Sequence, residues 1–141
     1  LGATLEGRSA GTFGIGGTYS SFFSHHISTM EGGMITTDDE PLSHTLKSLR
    51  AHGWTRDLPP TNYVYNKTGS EWDDLFRFVL PGYNLRPLEM EAAIGKVQLS
   101  KLDSFIKVRR SNAQNFLNLM SGLDGYRVGS KRRGGGIWLP V

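Results

Sequence analysis

The sequence predicts an α/β protein, and three observations in chain order carry that expectation. Gly33-Met34-Ile35-Thr36-Thr37 has the β-branched content of a strand, and a helix with a strong start signal follows it. Residues 54–81 then form a long, aromatic-rich loop, and a helical period runs from Pro87 to about residue 120. Strand, helix, long loop and long helix in that order fit a large α/β domain handing over to a smaller one through a long helix. The handover is expected between 108 and 109, with 109–141 forming the connecting helix and the start of the smaller domain.

Each element has its own signal. Residues 1–19 read as loop and short strand, punctuated by Gly2, Gly7, Gly11, Gly14, Gly16 and Gly17. Tyr19 to Phe23 reads as a short buried strand, and Ser24 to Thr29 as irregular. Asp38, Asp39 and Pro41 start a helix: a capping carboxylate precedes a proline in the first turn, where the missing N–H costs nothing. Leu42, Thr45, Leu46 and Leu49 share one face of it, and Gly53 is expected to end it as a left-handed stop. A short helical patch is expected near Trp72 to Phe78. Beyond Pro87, Met90, Ile94 and Val97 lie on one face, which Leu102, Phe105 and Ile106 continue. Asp103 is a candidate cap, so two helices and one kinked helix are both allowed, with Gly122 and Gly125 ending the run.

Composition narrows the class. At 141 residues the chain is long enough for a domain with a real core, and 38% hydrophobic with 21% charged residues is ordinary for a globular protein. A net charge of +3 and the short Lys131-Arg132-Arg133 run beside Gly134-Gly135-Gly136 argue for a solvated loop, with no nucleic acid as partner. No apolar run approaches the roughly 18 residues that span a bilayer, so no membrane association is expected. The chain has no cysteine, which excludes a disulfide scaffold and suits the cytoplasm. A glycine-rich opening without a leading strand, and a strand-like Trp138-Leu139-Pro140-Val141 at the other end, read as a piece of a larger enzyme.

His25-His26 is the most informative pair. Adjacent residues point apart on a strand and about 100° apart on a helix, so no metal site is expected there. One imidazole suits a general base near neutral pH; a hydrogen-bonded loop histidine is the plain alternative. Gly14-Ile15-Gly16-Gly17 lacks the full dinucleotide spacing and a leading strand. Ser20 is a better phosphate ligand, because hydroxyls and N–H groups at a tight turn suit a dianion. Glu31-Gly32-Gly33 places a carboxylate before a turn. In Gly82-Tyr83-Asn84-Leu85-Arg86-Pro87, Asn84 either caps the next helix or binds a ligand, and Arg86 either pairs with Glu89 or Glu91 or faces an anion. Spacing alone stops at a soluble α/β enzyme piece.

Taken together these segments resemble the DegT/DnrJ/EryC1/StrS sugar aminotransferase family, whose members adopt the aspartate-aminotransferase (type I) fold and bind pyridoxal 5'-phosphate (PLP). Leu1-Gly2-Ala3 and Gly11-Thr12-Phe13-Gly14 match the family's stretch after its cofactor aspartate. Ser20 through Glu31-Gly32-Gly33 matches the segment with the phosphate serine and the Schiff-base lysine. Gly82-Tyr83-Asn84-Leu85-Arg86 followed by Glu91-Ala92-Ala93-Ile94-Gly95 matches the asparagine loop and its helix. The resemblance makes residues 1–108 part of the PLP-binding large domain.

The departure is at the lysine position, which holds His25; no lysine occurs between Leu1 and Lys47. His-His before Ile-Ser-Thr-Met-Glu-Gly-Gly resembles the branch that removes the sugar 3-hydroxyl. The resemblance therefore implies 3-dehydration of a nucleotide-linked 4-keto-6-deoxy sugar, GDP-4-keto-6-deoxymannose being the substrate expected. The cofactors implied are PLP and pyridoxamine 5'-phosphate, with L-glutamate as amino donor. A sister branch carries an iron–sulfur cluster, but clusters need thiolates and the chain has none, so no cluster is expected. The family pattern makes His25 catalytic and Ser20 a cofactor-phosphate ligand, places His52 near the cofactor, and brings Asn84 from the neighbouring subunit of a homodimer. Arg86 is a candidate for the nucleotide phosphates. An ordinary sugar aminotransferase and a non-catalytic homologue are the alternatives; a decayed site would also be expected to lose Ser20, Glu31 or Asn84, and all three stand. The piece on its own is expected to be inactive.

Overall fold

The structure, a computed structural model, describes residues 1–123. The strand expected at Trp138 to Val141, the Lys131-Arg132-Arg133 loop and the stop at Gly125 lie outside the described residues.

The first third folds as two antiparallel ribbons. β1 (Thr4–Leu5) and β2 (Arg8–Ser9) pair Thr4 with Ser9 and Leu5 with Arg8. Glu6 and Gly7 between them both have positive φ, 51° and 81°, the arrangement a two-residue hairpin turn requires. β3 (Gly17–Ser20) and β4 (Gly33–Thr36) pair from Gly17 with Thr36 to Ser20 with Gly33. The first of these strands ends at Ser20 rather than running on to Phe23. The chain bends there into a turn closed by the His25 N–H on the Phe22 carbonyl, 2.9 Å. The Tyr19 hydroxyl donates to the Ala10 carbonyl at 2.9 Å and so ties the two ribbons together.

α1 (Glu40–Leu49) starts where the sequence predicts. The Asp39 carboxylate accepts the Leu42 N–H at 2.7 Å, and Pro41 stands in the first turn. Asp39→Ala is expected to cost about 1 kcal/mol, read as a lowered melting temperature with unchanged secondary structure. The end of the helix differs from expectation. Leu49 is the last helical residue and Arg50 is still right-handed; the left-handed residues are the pair His52 (φ 62°) and Gly53 (φ 83°). The chain needs this double reversal to lie alongside the segment that returns from the long loop.

That return is a backbone crossing. The His52 N–H donates to the Tyr83 carbonyl at 2.8 Å, Tyr83 N–H to Leu49 at 2.7 Å and Leu85 N–H to Arg50 at 2.9 Å. Ala51 thereby faces Asn84, and Trp54 faces Phe78. Further bonds from Val79 N–H to Gly53 and from Thr55 N–H to Arg77 close the other side. The 54–81 loop is thus tied shut at its base, and inside it sits α2 (Glu71–Leu75), capped by Ser70.

α3 (Glu89–Leu99) and α4 (Leu102–Met120) are two helices, separated at Ser100-Lys101. Asp103 does not cap the second. Lys101 holds the cap position in a right-handed conformation, which leaves no extended residue from which a side chain can reach back, and Asp103 lies in the first turn. The Arg110 guanidinium donates to the Gly2 carbonyl at 2.8 Å, fastening α4 to the start of the chain.

The expected core is not realised among the described residues. Ala51, at the crossing, and Leu58, in the turn after it, are the buried hydrophobic residues, while Met90 and Val97 on the predicted apolar face of α3 are 64% and 57% exposed. The periodicity is real, but the surfaces that would cover it are not among these residues. No helix among them is long and apolar enough to cross a membrane.

Candidate active site

The excursion between β3 and β4 carries the first group of site residues. Ser20 is exposed at the end of its strand, where its Oγ accepts the Phe22 N–H at 3.3 Å. Phe22 and Phe23 rest against each other with ring centroids 4.4 Å apart, and the His25 ring stands edge-on to Phe22 at 5.9 Å. Thr29 staples the excursion closed. Its N–H donates to the Ser21 carbonyl at 2.9 Å, and its hydroxyl bonds Ser21 Oγ at 2.7 Å and the Glu31 carbonyl at 2.6 Å. Gly32 must be glycine: its φ is 131°, and a Cβ there would stand 2.9 Å from Ser21 Oγ. The result is an exposed His25 side chain on a turn held by backbone bonds.

His26 is the other kind of histidine. It is half-buried, and its pKa is lowered, first by burial and then by the positive charge of Arg109 on α4. Among the described residues no group of three His, Asp or Glu side chains could hold a metal ion.

The crossing carries the second group. His52 and Asn84 are both exposed, on segments joined by the bonds that flank Ala51 and Asn84. Asn84 does not cap α3; Leu88 is the cap residue, and its N–H is taken by the Glu91 carboxylate at 2.9 Å. Arg86 forms no ion pair with Glu89 or Glu91. The structure thus unites Ser20 with His25 and His52 with Asn84, and no hydrogen bond among the described residues links the two groups.

An open cavity of about 340 Å³, lined by Trp72, Asp73, Phe76, Arg77 and Phe78, lies in the 54–81 loop, and His25 is not part of its lining. The length and aromatic content of the 54–81 loop mark it as functional or interfacial, and the aromatic clustering around Asp73-Asp74 is where its cavity lies. Beside it the Asp74 carboxylate accepts the Thr68 N–H at 2.9 Å, the Thr68 hydroxyl at 3.1 Å and the Gly69 N–H at 3.0 Å. The bond from the Thr68 N–H is the largest cause holding its pKa below the ordinary carboxylate value. A depressed carboxylate pKa stabilises above its unfolded value and is lost as pH falls through the folded one. The protection of the Thr68 and Gly69 amides, measured as exchange relative to the intrinsic rate at the same pH, is therefore expected to fall below the ordinary carboxylate range, and in Asp74→Asn already at neutral pH.

The chain belongs to the DegT/DnrJ/EryC1/StrS aminotransferase family, whose model matches residues 1–135. It is 58% identical over 122 residues to the GDP-4-keto-6-deoxy-D-mannose 3-dehydratase of Yersinia pseudotuberculosis, a match covering 86% of this chain and 31% of that protein. Among solved structures it superimposes on the E. coli GDP-4-keto-6-deoxy-D-mannose-3-dehydratase with bound hydrated PLP, with a TM-score of 0.82 and 57% identity over 86% of this chain and 32% of that one. A further GDP-4-keto-6-deoxymannose-3-dehydratase, with a trapped PLP-glutamate geminal diamine, matches with a TM-score of 0.83 and 54% identity over 88% of this chain and 32% of that one. The fold is therefore part of the PLP-dependent aminotransferase fold, as the sequence resemblance implies, and the chain spans about a third of the relatives it matches.

Proposed function

We propose that this chain is the proton-transfer segment of a PLP-dependent nucleotide-sugar 3-dehydratase acting on GDP-4-keto-6-deoxymannose. The observation that carries the reading is His25: an exposed imidazole on a tightly held turn, in a family whose pattern has a lysine there. The turn suits the cofactor, since Ser20 offers an exposed hydroxyl at one end and His25 a proton acceptor at the other. The cofactor supplies an electron sink for the carbon under attack.

The protein's own groups do the rest. Ser20 holds the phosphate. A ring nitrogen of His25 takes the proton from the activated carbon and then, as imidazolium, protonates the departing 3-hydroxyl, which leaves as water. Histidine cannot tether the cofactor covalently as lysine does, so the reaction is diverted from amine transfer to deoxygenation. L-glutamate would supply a new amino group for the one that leaves as ammonia after deoxygenation, and no iron–sulfur cluster is expected.

His52 and Asn84, exposed on one rigid crossing, are proposed to act at the cofactor, Asn84 reaching that of the neighbouring subunit in a homodimer with shared sites. Arg86 is proposed to face the nucleotide phosphates. Residues 1–108 are proposed as large domain, and 109–141 as connecting helix and start of the small one. The enzyme would work in the cytoplasm without nucleic acid or membrane.

The test uses the full-length enzyme with PLP, L-glutamate and GDP-4-keto-6-deoxymannose, the product being followed by mass. Loss of the 3-hydroxyl oxygen is expected. An added amino group, or no turnover by cofactor-loaded enzyme, refutes the reading.

A further inference from the structure

Ser20 and His25 stand on one segment of the chain, His52 and Asn84 on another, and a packing contact joins the two where no hydrogen bond does. It lies between Thr29, which closes the turn that presents His25, and Gly95, in the middle of α3, the helix that follows the Asn84 segment. Apart from proline, glycine is the poorest helix former. Gly95 has no backbone reason to be glycine either, since α3 is regular α-helix over Glu89–Leu99. What the position demands is space. A Cβ on Gly95 would stand 3.1 Å from Thr29 Cγ2, the one atom outside α3 within 4 Å of it among the described residues.

The methyl cannot step aside freely. Cγ2 and Oγ1 of Thr29 branch from the same Cβ, so turning one turns the other. The hydroxyl is committed: it donates to the Glu31 carbonyl at 2.6 Å and is bonded to Ser21 Oγ at 2.7 Å. Rotation that carries the methyl off α3 pulls the hydroxyl from these partners. Moving the whole residue instead strains the Thr29 N–H bond to the Ser21 carbonyl at 2.9 Å. His25 lies inside the excursion that these bonds close, so a shift at Thr29 passes to the turn that carries the imidazole. An acid–base group works only within hydrogen-bond reach of the proton it moves, about 2.6–3.2 Å, and small displacements there are costly.

We propose that Thr29 is a positioning residue for His25 and that Gly95 sets its place. The hydroxyl closes the turn, the methyl seats it on α3, and the missing Cβ at position 95 fixes how closely the two approach. The same seat registers the His25 turn against the helix that follows Asn84. This deepens the functional reading above and rests on its assignment of proton transfer to His25.

The test is a size-complementation pair in the full-length enzyme. Gly95→Ala is expected to lower kcat for deoxygenation by about tenfold with KM for the nucleotide sugar unchanged. In the cofactor-free enzyme it should reduce the protection of the residue 25 and 29 amides, measured as exchange relative to the intrinsic rate. Thr29→Ser added to Gly95→Ala removes the methyl, makes room for the new Cβ and should restore both readouts to within about threefold of the unaltered enzyme. Thr29→Val keeps the methyl and loses the hydroxyl, and should lower kcat and amide protection, whereas Thr29→Ser alone should largely keep both. A Gly95→Ala enzyme with unaltered kcat overturns the proposal, and so does a double variant no better than Gly95→Ala. If Gly95→Ala fails to fold or to load cofactor, the two Thr29 variants decide: equal rates for serine and valine at position 29 overturn the proposal. Amide protection that falls in Gly95→Ala and returns in the double variant, in an enzyme that does not deoxygenate, refutes the dehydratase reading and leaves the seat standing. An enzyme that deoxygenates equally well with alanine at position 95 does the reverse.

Discussion

Replacing His25 by asparagine in the full-length enzyme is expected to lower deoxygenation by about 10²- to 10⁴-fold, the usual worth of a positioned general acid–base group. Nucleotide-sugar binding should persist, so the loss falls on kcat rather than KM. The turn ought to survive, because its bonds join the His25 N–H to Phe22 and Thr29 to Ser21, and none uses the imidazole. His25→Lys is the sharper variant. It should gain the visible absorbance of a lysine-bound cofactor and lose dehydration. A lysine variant that still deoxygenates at the original rate would show that the proton is carried by another group.

The largest effect on stability is expected at the crossing. A Cβ on Gly53 would run into the Leu80 backbone, and one on Gly82 into His52 and Gly53. Backbone cannot swing aside as a flexible side chain can, so each alanine variant should force the two segments apart. Gly53→Ala carries in addition about 1–2 kcal/mol for its left-handed φ of 83°. Gly69 is the control: its φ is 81°, yet nothing lies within 4 Å of a Cβ there. Gly53→Ala should lower the melting temperature of the full-length protein much further than Gly69→Ala, and Gly82→Ala should do so without any φ penalty. Equal shifts for Gly53→Ala and Gly69→Ala would mean that the crossing is not tight. The crossing variants should also lose activity if His52 and Asn84 serve the cofactor.

These two expectations mark what the sequence revealed and what it withheld. The start of α1 was legible because Asp39 and Pro41 act locally. Its end was not, because the reversal at His52-Gly53 answers to residues 77–85, which return from a distant part of the chain. Two helices instead of one kinked helix depended on the conformation of Ser100 and Lys101, which no side-chain pattern announces. The apolar faces of α3 and α4 were read from their period, yet burial is a property of a partner, and Met90 and Val97 have none among these residues. At the site, Ser20 and His25 were visible because the motif runs continuously through Glu31-Gly32-Gly33. The stapling role of Thr29 and the cavity around Asp73 are local, but they depend on backbone turns that residue types alone do not announce.

The way the β3–β4 excursion is fastened has an evolutionary corollary. Its shape rests on main-chain bonds and on the hydroxyls of Ser21 and Thr29, none of which depends on which side chain projects at position 25. Scaffold and reagent are therefore separable. A single codon change at 25 can swap an amine for an imidazole without disturbing the framework that presents it. If His25 is the proton-transfer group proposed above, the exchange of lysine for histidine, two base changes in one codon, would leave the framework intact at each stage.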